Sequence, residues 1–367
     1  AVAAADGEAR PPRIRDDRLD GSGERGREDG LAVEVDDRFE RIAADHQALS
    51  AERRPRPGDA AAGGDRDDAD AVGLVVTGLL LIAAGQSLAD TTYQPFVLAS
   101  INDAPLAAQA DATRAALEDA GFTVVGEYAP LDNARVIVVT NDALLAIAAQ
   151  TPRGGYAAGQ RVSVTERDGK TEVAFVNPLY LQHAYRLEGD MQPVYDQLSA
   201  ALGEVEAFGT KKGMTAKKLA KYNYMIGMQK FDDPSELGRF ASHDAAVDAV
   251  EQGLARRGDA LTQVYRIDIP GTDQVVIGVG MKAATEDDVD IDEAHQMAIV
   301  DFEGHSKIAY FPYEVLVRGQ EVEALHMRFR MAVHFPDLSM MGAHGFTKLM
   351  ASPGATEDAL ESLVATD

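Results

Sequence analysis

Two short stretches gather side chains able to hold or polarise a ligand. In the first, Asn177-Pro178-Leu179-Tyr180-Leu181-Gln182-His183-Ala184-Tyr185-Arg186, an amide, two phenols, an imidazole and a guanidinium follow directly on an extended run. Asn177, Tyr180, His183, Tyr185 and Arg186 can orient a small molecule by stacking, hydrogen bonding and charge. The same groups can instead satisfy backbone polar groups in a well-packed connection. The second stretch, Leu325 to Phe335, alternates: Leu325, Met327, Phe329, Met331, Val333 and Phe335 are apolar, with His326, Arg328, Arg330 and His334 between them. Read as a strand, this period of two sends the apolar set to a core and the cationic set to the opposite face. Such a row suits a carboxylate, a phosphate or a haem propionate. It also suits plain neutralisation of acidic neighbours on a solvated sheet.

Softer ligands follow. His334, Met341 and His344, within and just before Met340-Met341-Gly342-Ala343-His344, could bind copper(I) or give haem an axial pair. Methionines near a helix more often fill a core. The chain has no cysteine, which excludes disulfides, thiolate metal sites, cysteine nucleophiles and covalent c-type haem. The acidic run Glu286-Asp287-Asp288-Val289-Asp290-Ile291-Asp292-Glu293 has alternating aspartates but lacks the EF-hand glycine and closing glutamate, and reads as a solvated loop capping the next helix. No P-loop, Gly-x-Gly-x-x-Gly, His-Glu-x-x-His or Gly-x-Ser-x-Gly motif stands in a supporting context, so neither a catalytic residue nor a cofactor is assigned.

Sixty acidic residues against thirty-five basic ones give a net charge of −25, which repels nucleic acid over the surface as a whole and favours solubility. Against that background Lys211, Lys212, Lys217, Lys218 and Lys221 are half of the ten lysines. They can dock anionic lipid or an acidic partner. The expectation is that they pair with the protein's own carboxylates and hold two halves together.

Several segments must position these groups. Residues 1–70 are rich in Ala, Gly, Pro, Arg and Asp with little hydrophobic periodicity, and read as disordered or as an extension from a mistaken start site. Ala71 to Gly85 is an uncharged apolar run, and Gln86-Ser87-Leu88-Ala89 resembles a cleavage site, so 71–89 reads as a signal peptide and the protein as periplasmic or secreted. The run is too short to span a bilayer. From Asp90 the pattern is globular. Helices are expected at 107–120, 142–150 and 192–202, with strands at 93–99, 122–125, 134–139, 160–167 and 170–176. Asp168-Gly169 marks a tight hairpin pairing Val164 with Val173 and Val162 with Phe175. A similar order recurs: strand 223–228, helix 244–256, strands 261–269 and 274–281, a helix at 292–299, a hairpin about Arg318-Gly319 with strands 313–317 and 321–335, and a helix at 356–364. The fold class is therefore α+β, with related domains at 90–205 and 222–367, each a curved antiparallel sheet against helices, and a Lys-rich linker at 206–221.

Arg161-Val162-Ser163-Val164-Thr165-Glu166-Arg167-Asp168-Gly169-Lys170-Thr171-Glu172-Val173-Ala174-Phe175-Val176-Asn177-Pro178 resembles the domain of unknown function 302 family, with its strand, acidic turn, strand and Asx-Pro ending. Tyr310-Phe311-Pro312-Tyr313-Glu314-Val315-Leu316-Val317 is similar to a second family strand, with Tyr313 where a cysteine is often found. The resemblance covers most of 94–202 and, less clearly, 222–364. It implies a small α+β fold with a curved antiparallel sheet and brings no established activity. The functional expectation is an exported, non-catalytic binding or accessory protein for an anionic small molecule or a protein partner. The alternatives are an enzyme with a His, Tyr or carboxylate site, and a scaffold.

Overall fold

The computed structural model describes residues 91–365, which belong to one compact unit. The expected extension at 1–70 and leader at 71–89 lie outside the described residues.

The hairpin of β5 (Gln160–Arg167) and β6 (Lys170–Val176) forms as the turn residues dictate. Asp168 and Gly169 both adopt positive φ, 52° and 73°, as a two-residue turn matched to strand twist requires. Val162 faces Phe175 and Val164 faces Val173, the expected register. Around this hairpin lie β2 (Phe96–Asn102), β3 (Thr123–Tyr128), β4 (Ala134–Thr140) and β7 (Glu206–Phe208), in the antiparallel order β3-β4-β5-β6-β2-β7. Helices α1 (Leu106–Asp119), α2 (Asp142–Ala148), α3 (Pro178–Ala184) and α4 (Gln192–Leu202) complete this half.

The second half repeats the arrangement. Strands β9 (Ser235–Arg239), β10 (Leu261–Ile269), β11 (Gln274–Met281), β12 (Tyr313–Arg318) and β13 (Glu321–Ala324) pair antiparallel in the order β10-β11-β12-β13-β9. Strand for strand this matches β3-β4-β5-β6-β2. Helices α6 (His243–Arg257), α7 (Glu293–Val300), α8 (Met327–His334) and α9 (Ser352–Val364) occupy the places of α1 to α4. Mixed helices and antiparallel sheets agree with the α+β expectation.

The halves are not separate bodies within this unit. Helix α1 covers one face of the first sheet and α6 one face of the second. The other faces receive 3₁₀ turns from the opposite half: Gly154–Ala157 packs on β11 and β12, and Ile308–Tyr310 on β4, β5 and β6. One continuous apolar core results. Gly126 on β3 marks a close approach, since a Cβ there would come within 2.3 Å of the Val264 carbonyl oxygen on β10.

Three expectations need correction. Residues 223–228 form no strand; the first strand of the second half is β9. Their aromatic and methionine side chains gave the run an extended look, yet Tyr222 and Tyr224 donate their hydroxyls to the carbonyls of Ala332 and Leu338. The linker at 206–221 is part of the fold: β7 extends the first sheet, β8 (Met214–Thr215) pairs with β1 (Thr92–Tyr93), and α5 (Ala216–Leu219) follows. The strand expected at 321–335 stops at Ala324 and becomes helix α8, capped by the His326 imidazole, which accepts the Arg328 N–H at 3.1 Å. Helix α8 is buried on almost every side, so its apolar residues carry no helical stripe and the alternation misleads.

Candidate functional site

Strand β5 brings Arg161 and β12 brings Glu314 to the centre of the molecule, where they pair with side-chain exposures of 0% and 1%. Arg161 also donates through Nε to the Ala309 carbonyl at 3.0 Å and through Nη2 towards His334 Nε2 at 3.4 Å. Arg330, one turn before His334 on α8, donates through Nη2 to the carbonyls of Tyr310 and Pro312, at 2.6 and 2.5 Å, and reaches Glu314 at 3.4 Å. Its guanidinium lies over the rings of Tyr310 and Tyr313, 4.2 and 4.7 Å from their centroids. Tyr265 donates to Glu314 at 3.2 Å.

The protonation pattern follows from this geometry. His334 Nδ1 lies 2.8 Å from the Arg330 carbonyl and must donate to it, leaving Nε2 to accept from Arg161. Burial, then the adjacent Arg161 and Arg330, hold His334 well below the usual imidazole range, so it is neutral. Two guanidiniums therefore face one carboxylate, an arrangement costly to bury and severe to break. Nearby Glu293, which accepts from Tyr128 Oη at 3.1 Å, has its carboxyl pushed up to about 8 by burial. The hydroxyls of Tyr156, Tyr185 and Tyr310 and Arg330 Nη1 have no partner among the described residues. The cluster is shut from solvent and joins the halves.

The two candidate stretches occupy equivalent places, as α3 and α8, and they meet: Tyr180 on α3 donates to the Val333 carbonyl on α8 at 2.6 Å. Their roles are structural rather than ligand-facing. Asn177 caps α3 by accepting the Leu179 N–H. Tyr185 is buried and stacked on Phe231. Arg186 pairs with Asp232 at 2.5 Å and lies over Phe231. His183, half-buried, packs on Tyr93 with centroids 4.6 Å apart. The expected cationic row on a solvated sheet does not exist: Arg330 and His334 are fully buried, His326 is a buried cap, and Arg328 alone of the four is half-buried. Nor do His334, Met341 and His344 form a metal centre, because His334 is sealed in the core while Met341 and His344 are exposed. No cluster of three metal-ligating His or carboxylate groups occurs among the described residues.

A site that opens to solvent lies beside Phe335, where α8 ends. It is a cavity of about 770 Å³ with an apolar wall of Phe208, Val300, Phe335 and Leu338. The loop Asp301 to Lys307 forms one side, and Met341 to His344 another. Phe302 and His344 stack at 3.9 Å across its edge. Lys211 stands on the rim, held there because its backbone N–H donates to Asp337 at 2.5 Å. The 301–307 loop is clasped to the first half: His305 contacts Glu172 through Nδ1 at 2.8 Å and Glu206 through Nε2 at 2.9 Å. Both nitrogens face carboxylates, so the ring is doubly protonated when the clasp is closed. Burial pulls its pKa down, but the bonds and charges of Glu172 and Glu206 outweigh that and raise it. Arg167 and Lys307 both reach the buried Asp301, at 3.3 and 3.2 Å.

Arg161, Glu314, Glu293, His305 and Phe302 were not singled out from sequence. For Glu314 a signal exists, a charge set between Tyr313 and the apolar run Val315-Leu316-Val317, whereas Arg161 shares its strand with Glu166 and Arg167 and carries none. Comparison with protein-family models, with curated proteins and with solved structures finds no match for this chain.

Proposed function

We propose that the chain is a non-catalytic binding protein whose ligand occupies the cavity beside Phe335. The carrying observation is the cavity itself, large enough for a drug-sized molecule and walled by aromatic and aliphatic groups with polar groups at its edge. The ligand class is a small molecule with an apolar, preferably planar body and one anionic group. The body fits the Phe208, Phe302 and Phe335 wall, and the Lys211 ammonium, which has no carboxylate partner among the described residues, meets the charge. His305 serves this site as a strut, since both of its nitrogens are engaged. Export and kinship with the domain of unknown function 302 family belong to the same reading, supported by the leader pattern and the hairpin motif in the sequence.

The test uses an aromatic sulfonate, 1-anilinonaphthalene-8-sulfonate, as probe. Saturable binding at one site is expected, weakened about tenfold or more in Lys211→Glu and in Phe302→Ala while the circular dichroism stays unchanged. Absence of saturable binding, or binding indifferent to both substitutions, would remove the cavity from consideration.

A further inference from the structure

The lysine segment does not do what its acidic surroundings suggest. Lys211, Lys212, Lys217, Lys218 and Lys221 are all exposed, and among the described residues the lysines that form ion pairs are Lys170 and Lys307 instead. Five ammonium groups with no ion pair among the described residues thus sit within eleven residues of a chain whose net charge is −25. Pairing with the described carboxylates is not their role.

The next turn is equally out of place. Ile226 is 95% exposed, beside half-buried Met225, at the tip of a turn completed by Gly227 with φ +89°. The base of the turn is firm, because Tyr222 and Tyr224 tie it to Ala332 and Leu338 at 2.8 and 3.2 Å. A single aliphatic tip exposed five residues after Lys221 gains nothing from an acidic peptide, which charge alone would satisfy. In a bilayer interface it finds apolar surroundings while the lysines find lipid phosphates.

From this juxtaposition we infer that the segment from Lys211 to Ile226 is a docking surface for an anionic lipid bilayer, with the lysines reading surface charge and Ile226 entering the interface. The acidic remainder does not prevent this, since charges beyond about 8–10 Å are screened at physiological salt. Asp232 is neutralised by its pair with Arg186. The repulsive remainder sets orientation, turning this face alone to the membrane. The surface is independent of the proposed ligand cavity except at Lys211.

The experiment is sedimentation of the full chain with phosphatidylcholine vesicles, with and without phosphatidylglycerol. Binding is expected to the anionic vesicles only and to fall steeply as salt is raised. A variant with Lys212, Lys217, Lys218 and Lys221 all changed to Glu should lose it, and Ile226→Asp should weaken it about tenfold. Both variants should keep the near- and far-ultraviolet circular dichroism of the parent, which shows that they fold. Equal binding to uncharged vesicles, undiminished binding by either variant, or capture by polyglutamate without vesicle binding would overturn the inference.

Discussion

Glu293 shows how much a single buried carboxyl can shape stability. It is 3% exposed, bonded to Tyr128, and its pKa is pushed up to about 8. In the unfolded chain it titrates near 4.3. Between these values the folded protein holds a proton that the unfolded chain has released, so this group's contribution is complete at low pH and lost as pH rises towards 8. Glu293→Gln keeps the shape and cannot ionise. It should raise stability at pH 8 and above by on the order of a few kcal/mol and change little near pH 4, as denaturant unfolding at the two pH values would measure. An equal effect at both would mean that the carboxyl is not perturbed as described. At this scale the sequence was readable only in part. Glu314 stands before the apolar run Val315-Leu316-Val317 and could have been suspected, but Arg161 lies in a strand with two further charges and Glu293 in an acidic run whose other carboxylates are exposed or half-buried, and nothing local marks either.

Among the elements, local chemistry was legible where turns and caps decide the outcome. The Asp168-Gly169 hairpin, the Asn141 cap of α2 and the Asp292 cap of α7 form as their residue types require. It failed where burial is general. Helix α8 hides Arg330 and His334, four residues apart on one side, against the central carboxylate, and because it is buried nearly all round its apolar residues need keep to no stripe and can alternate as in a strand. The loop from Asp301 to Lys307 was invisible because its clasp is tertiary. His305 faces Glu172 and Glu206, with the Phe208 ring 5.4 Å away, while Arg167 and Lys307 meet Asp301 within the same loop. Since its folded pKa is raised above about 6.5, the clasp is complete below that pH and loosens as pH rises through the higher value. Hydrogen-exchange protection at Ser306 and Lys307 should therefore fall several-fold over that range after correction for intrinsic rates. In His305→Gln the trend should vanish; its persistence would assign the loosening to another group.

As a whole molecule, the protein carries two matching sheets whose inner faces exchange 3₁₀ turns and share one core. The repeated order of elements was readable from helix and hairpin spacing, but the mutual burial was not, because no short-range pattern tells a face covered by its own helices from one covered by another half. Thermal unfolding of residues 90–367 should accordingly give one cooperative transition, with calorimetric and van't Hoff enthalpies equal. Two resolved transitions would show the halves to be independent. The pair Arg161 and Glu314, 153 residues apart, has a further consequence during synthesis. At about 5–20 residues per second the ribosome releases Arg161 roughly eight to thirty seconds before its carboxylate exists. For that interval Arg161 lacks the carboxylate that it meets in the finished fold, and the inner face of the first half is completed only when the second half arrives.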